Sequence, residues 1–190
     1  MATLVLAITP LTPDRWPDFE RLFGARGACG GCWCMFWKLS HATFQAQLGE
    51  PNHVMQKAMV DSGETPGLLA YAGTEPVGWV AVAPRQGYPR LAKSRILKPV
   101  DNQPVWSIVC FFVGRHYRRM GITIDLIEAA VDYASQYGAK IVEAYPVEPK
   151  ESNAPPPFIY TGIASAFLKA GFVEVARRSP TRPVMRRTIA

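Results

Sequence analysis

One stretch of the chain combines groups that could bind a polyanion. It runs Cys110-Phe-Phe-Val-Gly-Arg-His-Tyr-Arg-Arg-Met-Gly-Ile-Thr123, where an apolar strand pattern ends, a basic loop follows and a helical pattern begins. Unpaired N–H groups of a helix's first turn point to one place, and the helix dipole favours negative charge there. Gly121 lets a ligand approach the backbone, while Arg118 and Arg119 add charged donors. The pattern indicates either a pyrophosphate site or a tight basic turn without a ligand.

The sequence around this loop predicts strands and helices that follow one another in mixed order along the chain. Val105–Val113 is apolar except at Ser107, which predicts a central strand covered on both faces. Gly121–Tyr137 is amphipathic and ends at Gly138, as expected of a long helix. Further strands are predicted at Leu4–Thr9, Gly67–Tyr71, Val77–Ala83, Lys140–Tyr145, Phe172–Ala176 and Pro183–Thr188, and helices at Asp14–Phe23, Asn52–Ser62 and Ile163–Ala170. The pattern is that of an α/β protein.

Length and composition narrow the class of protein. With 190 residues, 48% of them hydrophobic, the chain suits one globular domain over residues 1–190. Its apolar runs are too short for a signal peptide or a membrane span, so we expect a cytoplasmic protein with no membrane partner. The four cysteines are therefore not expected to form a disulfide framework.

The charge of the chain, formally +6, is uneven. No acid follows Glu174, while the last stretch holds several arginines. They are Arg177, Arg178, Arg182, Arg186 and Arg187. They form either a solvated basic edge strand or a surface that attracts an anion, such as a phosphorylated cofactor or nucleic acid.

Three segments resemble one known family. Arg118-x-x-Gly121-x-Thr123, placed after the strand that ends at Val113, resembles the acetyl-CoA-binding motif of the GNAT (GCN5-related N-acetyltransferase) superfamily. That motif is written Arg/Gln-x-x-Gly-x-Gly/Ala. The stretch Phe167-Leu-Lys-Ala-Gly-Phe172 is similar to the family's aromatic-x-Lys-x-Gly-Phe signature, and the hairpin Leu68–Ala83 resembles its second and third strands.

This resemblance implies a GNAT fold and a place for acetyl-CoA. The fold would be a mixed, mostly antiparallel sheet of six or seven strands, flanked by about four helices, with the fourth and fifth strands splayed apart. The pantetheine arm would lie in the splay, along the backbone of Phe111, Phe112 and Val113. The pyrophosphate would rest on the amides of the loop, namely those of Arg118, Arg119, Met120, Gly121, Ile122 and Thr123.

The implied reaction is direct attack of a primary amine, on a small molecule or peptide, on the thioester of acetyl-CoA. The family often has a tyrosine as general acid where this chain has Phe167, so Tyr160 and Ser165 are the candidate proton donors. Glu143 is the candidate base; the alternative, an exposed strand carboxylate, is the more common case. Cys110 is expected to be an inert buried thiol.

A segment rich in cysteine and aromatic residues lies at positions 24–50. Its sequence Cys29-x-x-Cys32-x-Cys34, followed by His41, has the ligand types that zinc prefers, but a second Cys-x-x-Cys pair is missing and no metal is expected. In GNAT proteins this region covers the acceptor side. The resemblance therefore makes it an insertion there, with an apolar wall for the acceptor. The wall would be formed by Trp33, Phe36 and Trp37.

Two other functions remain open. A zinc-binding or nucleic-acid-binding regulatory module would explain the cysteines and the basic tail, but it leaves the strand–loop–helix unit at Gly121 unexplained, so nucleic acid is not the expected partner. A GNAT fold that binds coenzyme A without catalysis is compatible with Phe167. The family also suggests a homodimer formed through the apolar final strands.

Overall fold

The computed structural model describes residues 4–149 and 154–189. One seven-stranded sheet has the order β1-β2-β3-β4-β5-β7-β6. Its strands are β1 (Leu6–Pro10), β2 (Gly67–Ala72), β3 (Glu75–Pro84), β4 (Trp106–Val113), β5 (Ile141–Ala144), β6 (Val173–Arg177) and β7 (Pro183–Thr188). Among these strands, the β4–β5 pair alone is parallel. The predicted mixed, mostly antiparallel sheet is confirmed.

The described residues form six α-helices, where about four were expected. They are α1 (Trp16–Phe23), α2 (His41–Ala46), α3 (Glu50–Asp61), α4 (Pro89–Ala92), α5 (Ile122–Gln136) and α6 (Ala164–Lys169). The two unpredicted helices, α2 and α4, are too short to show an apolar period. The start of α2 does carry a local signal, because the side chain of Ser40 accepts a hydrogen bond from the Thr43 N–H.

Neither Asn52 nor Thr123 caps the helix that begins near it. Asn52 does not cap α3 but is buried within it, where its side-chain amide donates to the Gly31 carbonyl at 3.1 Å. The helix begins earlier because Gly49 adopts a positive φ of 87° and Pro51 suits the first turn. Thr123 does not cap α5 either, since Gly121 occupies the N-cap position and makes no side-chain bond.

Both faces of the sheet are covered, and each cover contributes its own apolar core. On one face α5 and α6 pack over residues such as Val80 and Ile108. On the other face α1 and the cysteine-rich segment pack over Trp79 and Val109. Val80, Ile108 and Trp79 are fully buried, which agrees with a central sheet whose strands read as nearly continuous apolar runs.

The sheet opens between β4 and β5. The two strands pair only from Trp106–Val142 to Ile108–Ala144. The register between β3 and β4 then shifts by one residue, which leaves Val109 as an extra residue in β4. Such a bulge bends and twists its strand. β4 therefore continues to Val113 away from β5, and a wedge-shaped gap forms between them.

Two surface features bear on partners. Among the described residues, no helix is long and apolar enough to cross a membrane. Strand β6 lies at an edge of the sheet, and Val173 on it is 61% exposed. Pairing of the final strands in a homodimer stays a prediction.

Candidate active site

The loop between β4 and α5 forms an open cradle of main-chain N–H groups. Gly121 has a φ of 87°, and a Cβ atom placed there would meet nothing within 4 Å. Within the described part of the chain, the N–H groups at the start of α5 have no acceptor, specifically those of Met120, Gly121, Ile122 and Thr123. Unpartnered donors at a helix N-terminus beside open space fit a phosphate group.

The two arginines of the loop play different local roles. The Nε of Arg118 donates to the Val113 carbonyl at 3.0 Å, so its side chain folds back on the end of β4 and fastens the turn. Arg119 adopts a φ of 65°, which is uncommon for a residue other than glycine. Both side chains are exposed, while Ile122 is buried and anchors the first turn of α5. The cradle is therefore made of backbone with charge around it.

The inner part of the gap is occupied by the chain itself. The Phe111 N–H, which was expected to face pantetheine, donates to the Tyr160 carbonyl at 2.6 Å. On the other side of the gap Val147 forms a parallel bridge with Ile163, and its N–H donates to the Gly162 carbonyl. Residues 160–163 thus bond to both splayed edges. In this state of the protein the Phe111 amide is therefore occupied, and its contact with pantetheine stays a prediction.

The side chain of Tyr160 packs on the face of the sheet that the cysteine-rich segment covers. Burial is the main cause that raises the pKa of Tyr160 well above its usual value, with the Cys110 sulfur acting in the same direction. The ring of Phe36 meets the Tyr160 ring edge-on, with 5.9 Å between centroids. A phenol with a raised pKa is protonated at neutral pH and can donate a proton.

The other candidate donor and the family's tyrosine position lie elsewhere. Ser165 is exposed in the first turn of α6. Phe167, where the family often has tyrosine, is fully buried and packs edge-on against Phe111 and Phe172, with centroids 5.9 and 5.1 Å away. Of the three positions, only Tyr160 combines a hydroxyl with a main-chain contact to β4 at the gap.

Glu143 is fully buried, so the expectation of an exposed strand carboxylate is wrong. Its carboxylate accepts from Arg85 Nη1 at 2.6 Å, from Arg186 Nε at 2.7 Å and from the Tyr145 hydroxyl at 2.6 Å. Arg186 also pairs with Asp101 and lowers the pKa of Asp101 to about 2. The carboxylate of Glu143 is thus engaged by two guanidinium groups and one hydroxyl. Its geometry is that of a structural ion pair.

The aromatic residues of the cysteine-rich segment separate into two places. Trp33 is 7% exposed and packs against α1, stacking on Phe23 at 5.9 Å. Trp37 is equally buried. Phe36 is half-buried and is the member of the predicted wall that touches Tyr160. Phe112 of β4 also packs on Phe23, at 5.3 Å, so its ring belongs to this core rather than to the gap.

The four cysteines differ in their surroundings. Cys29 is exposed, whereas Cys34 is buried and its sulfur accepts a hydrogen bond from Trp79 Nε1 at 3.2 Å. Within residues 4–149 and 154–189, no three His, Cys, Asp or Glu side chains are arranged to hold a metal ion. A hydrogen bond to Cys34, together with burial, raises the pKa of Cys110 well above its usual value, so that thiol is a poor nucleophile.

Comparison with known proteins identifies the family. The model of the acetyltransferase (GNAT) family matches residues 33–155, which is more than half of the chain. The chain belongs to the GNAT acetyltransferase family. A search of curated proteins found no match.

Solved structures of other acetyltransferases share the fold over the whole chain. The PaiA N-acetyltransferase of Thermoplasma acidophilum is 13% identical, covers 97% of this chain and 99% of its own, and superposes with a TM-score of 0.54. A GNAT acetyltransferase of Listeria monocytogenes is 8% identical over 97% and 95%, with a TM-score of 0.58. An acetyltransferase of Thermus thermophilus is 21% identical over 100% of both chains, with a TM-score of 0.51. At such low identity these similarities concern the architecture alone.

Sequence reasoning missed the ion-pair network of this GNAT protein. Glu143 lies in the run Ile141-Val-Glu-Ala-Tyr145, which is apolar on both sides of the acid. A short apolar strand in a parallel pair is covered on both faces, so burial of that acid could have been inferred. Its partners could not, because Arg85 and Arg186 lie 58 and 43 residues away in the chain.

Glu143→Gln should strongly destabilise the protein, because it leaves Arg85 and Arg186 buried without their shared negative charge. We expect a loss of about 3 kcal/mol or more in the free energy of unfolding, measured by urea denaturation. The matched control is Glu128→Gln. That change removes the partly exposed pair with Arg187 and should cost less than about 1 kcal/mol. Equal effects of the two changes would contradict this assignment.

Proposed function

We propose that residues 1–190 form one acetyltransferase domain that transfers the acetyl group of acetyl-CoA to a primary amine of a small molecule or peptide. The observation that carries this proposal is the row of unpartnered N–H groups from Met120 to Thr123 beside the open side of Gly121. Membership of the GNAT family supports it. So does the similar fold of the Thermoplasma acidophilum N-acetyltransferase, whose structure is a complex with coenzyme A.

The backbone of the site would bind most of the donor. The amides at the start of α5 would hold the pyrophosphate. The Val113 carbonyl and the Phe111 N–H both point to the gap side of β4, because their hydrogen-bond partners, Arg118 and Tyr160, lie on that side. These two residues would hold the pantetheine arm. Bound acetyl-CoA supplies an activated acetyl thioester.

Two groups of the chain have assigned chemical roles in this proposal. The Phe111 N–H, once released from Tyr160, is a main-chain donor for an oxygen that gains negative charge. The Tyr160 phenol, protonated at neutral pH, would give its proton to the departing thiolate. Glu143 is already paired with two arginines, so the proton of the attacking amine would leave through water instead.

The direct experiment has two readouts. Acetyl-CoA should raise the melting temperature of the protein, because it binds the folded state alone. An acceptor screen that follows release of the free coenzyme A thiol should then find at least one primary amine that is turned over. A protein whose melting temperature does not respond to acetyl-CoA at millimolar concentration would exclude the proposed function.

Gly121→Leu should abolish the stabilisation by acetyl-CoA, because a side chain would project into the cradle. Leucine at a positive φ also costs roughly 1 to 2 kcal/mol in the folded protein. Gly138→Leu is the matched control, since Gly138 has a φ of 79° at the other end of α5 and also faces open space. Its ligand-induced shift should stay at the wild-type value. Loss of the shift in both variants would point to general damage.

Coenzyme A should increase amide hydrogen exchange in residues 159–163. The pantetheine arm can reach the Phe111 N–H only after the Tyr160 carbonyl has left it, and the released segment exchanges faster. Exchange measured by mass spectrometry, with and without coenzyme A, tests this. Stronger protection of the segment in the complex would show that pantetheine binds without displacing it.

Tyr160→Phe should lower kcat by about 100-fold or more and leave KM for the acceptor nearly unchanged, because only proton donation is lost. Ser165→Ala serves as the control and should retain wild-type kcat. The two variants are compared in the thiol-release assay with one common acceptor. Unchanged kcat in Tyr160→Phe would remove Tyr160 from the mechanism.

A further inference from the structure

The arginines of the C-terminal stretch differ in what they bind. Three of them pair with carboxylates: Arg177 with Glu148 and Glu174, Arg186 with Glu143 and Asp101, and Arg187 with Glu128. Arg178 donates to main-chain carbonyls between residues 96 and 99. Arg182, in the turn between β6 and β7, is different. Over residues 4–149 and 154–189 no carboxylate lies within ion-pairing distance of it.

Arg182 is also partly removed from water. Its Nη2 donates to the Tyr145 carbonyl at 3.1 Å, at the end of the splayed strand β5. Its Nε is buried and has no hydrogen-bond partner among the described residues. Burial lowers the pKa of Arg182. A desolvated guanidinium with an unused donor is costly for the protein unless an anion completes it.

A second guanidinium lies on Phe36, the residue whose ring contacts Tyr160. Arg90 of α4 stacks on the ring of Phe36, with 3.7 Å between its guanidinium carbon and the ring centroid. Its Nη1 donates to the Phe36 carbonyl at 3.1 Å. In the described part of the chain, Arg90 likewise has no carboxylate partner. Stacking fixes the plane of the group without neutralising its charge.

Tyr160 links the surroundings of the two arginines, since its ring contacts Phe36, on which Arg90 stacks. Burial is the largest influence and raises the pKa of Tyr160, whereas the charges of Arg182 and Arg90 act in the opposite direction. Both are therefore close enough to act on the phenol of Tyr160, whose main chain bonds to β4 at the gap. The nearest acid of β5, Glu143, is neutralised by its own two arginines. The surroundings of the phenol are therefore positively charged.

We propose that the acceptor amine carries a carboxylate, which Arg182 binds with the help of Arg90. This inference rests on the proposed acetyl transfer and adds the class of acceptor. A planar carboxylate fits the fork of a guanidinium and would satisfy the unpartnered Nε of Arg182. The two positive charges also disfavour an ammonium nearby, so they would lower the pKa of the acceptor amine and help it arrive neutral.

The test uses pairs of acceptors that differ in one charge. A panel of free L-amino acids is compared with the corresponding amino acid amides in the thiol-release assay. Binding of N-acetyl amino acids and of N-acetyl amino acid amides to the protein saturated with coenzyme A is measured as well, so the result does not depend on turnover. For the amino acid that is turned over best, kcat/KM should be about tenfold or more higher than for its amide. The N-acetyl form of that amino acid should also bind about tenfold or more tighter than the N-acetyl amide.

Arg182→Met should reduce this preference by about 10- to 100-fold, mainly through KM for the acid, and change the amide much less, because the amide loses only the influence of the charge on its amine. Arg182→Lys, which keeps the charge but not the fork, should restore part of it. Arg178→Met is the matched control, because it removes a neighbouring arginine that bonds to carbonyls, and it should keep the wild-type preference. All three variants should retain the acetyl-CoA-induced rise in melting temperature.

The outcomes separate the two proposals. Loss of response to acetyl-CoA in the wild-type protein contradicts the acetyl transfer itself. A normal response combined with no preference for acids over amides, in turnover and in binding, contradicts the carboxylate alone. So does a preference for phosphoethanolamine over every amino acid. If Arg182→Met instead abolishes the acetyl-CoA-induced shift, the anion that Arg182 binds is the donor, and the carboxylate proposal is wrong.

Discussion

The candidate site depends on where β4 and β5 stop pairing. The last pair is Ile108 with Ala144, and one level before it Glu143 lies opposite Ser107. At that level the carboxylate of Glu143 binds Arg85, which follows β3, and Arg186 on β7. Four neighbouring strands are thus tied together just before the gap opens. The Val109 bulge then turns β4 away, so the gap has a fixed base and two diverging walls.

This arrangement explains why a charged residue occupies the centre of an apolar sheet. A buried ion pair contributes little net stability compared with well-packed apolar residues, but it tolerates only one relative position of its partners. The carboxylate accepts from Arg85, Arg186 and Tyr145, and the Tyr145 hydroxyl lies 2.8 Å from the Ser107 hydroxyl. These bonds set the spacing and register of the strands where splaying begins.

Much of the frame could be predicted from the chain, because it rests on local patterns. The apolar run before Val113, the glycine at 121 and the amphipathic helix after it are adjacent in sequence, and the strand–loop–helix unit was found where it was expected. The contacts around Tyr160 could not be predicted in this way. They join Phe36, Arg90, Phe111 and Arg182, which come from four separate segments and carry no shared spacing.

The contact between Phe111 and Tyr160 has a consequence for the sequence of events in a catalytic cycle. Residues 160–163 bond to both edges of the split in the sheet, and the same segment carries the phenol of Tyr160. A ligand that enters the gap between β4 and β5 must first move this segment. That movement changes the position of the Tyr160 phenol and the surroundings of Arg90 and Arg182. The amine would therefore find its complete binding surface only after the donor has entered, which makes binding of the two substrates compulsory in order.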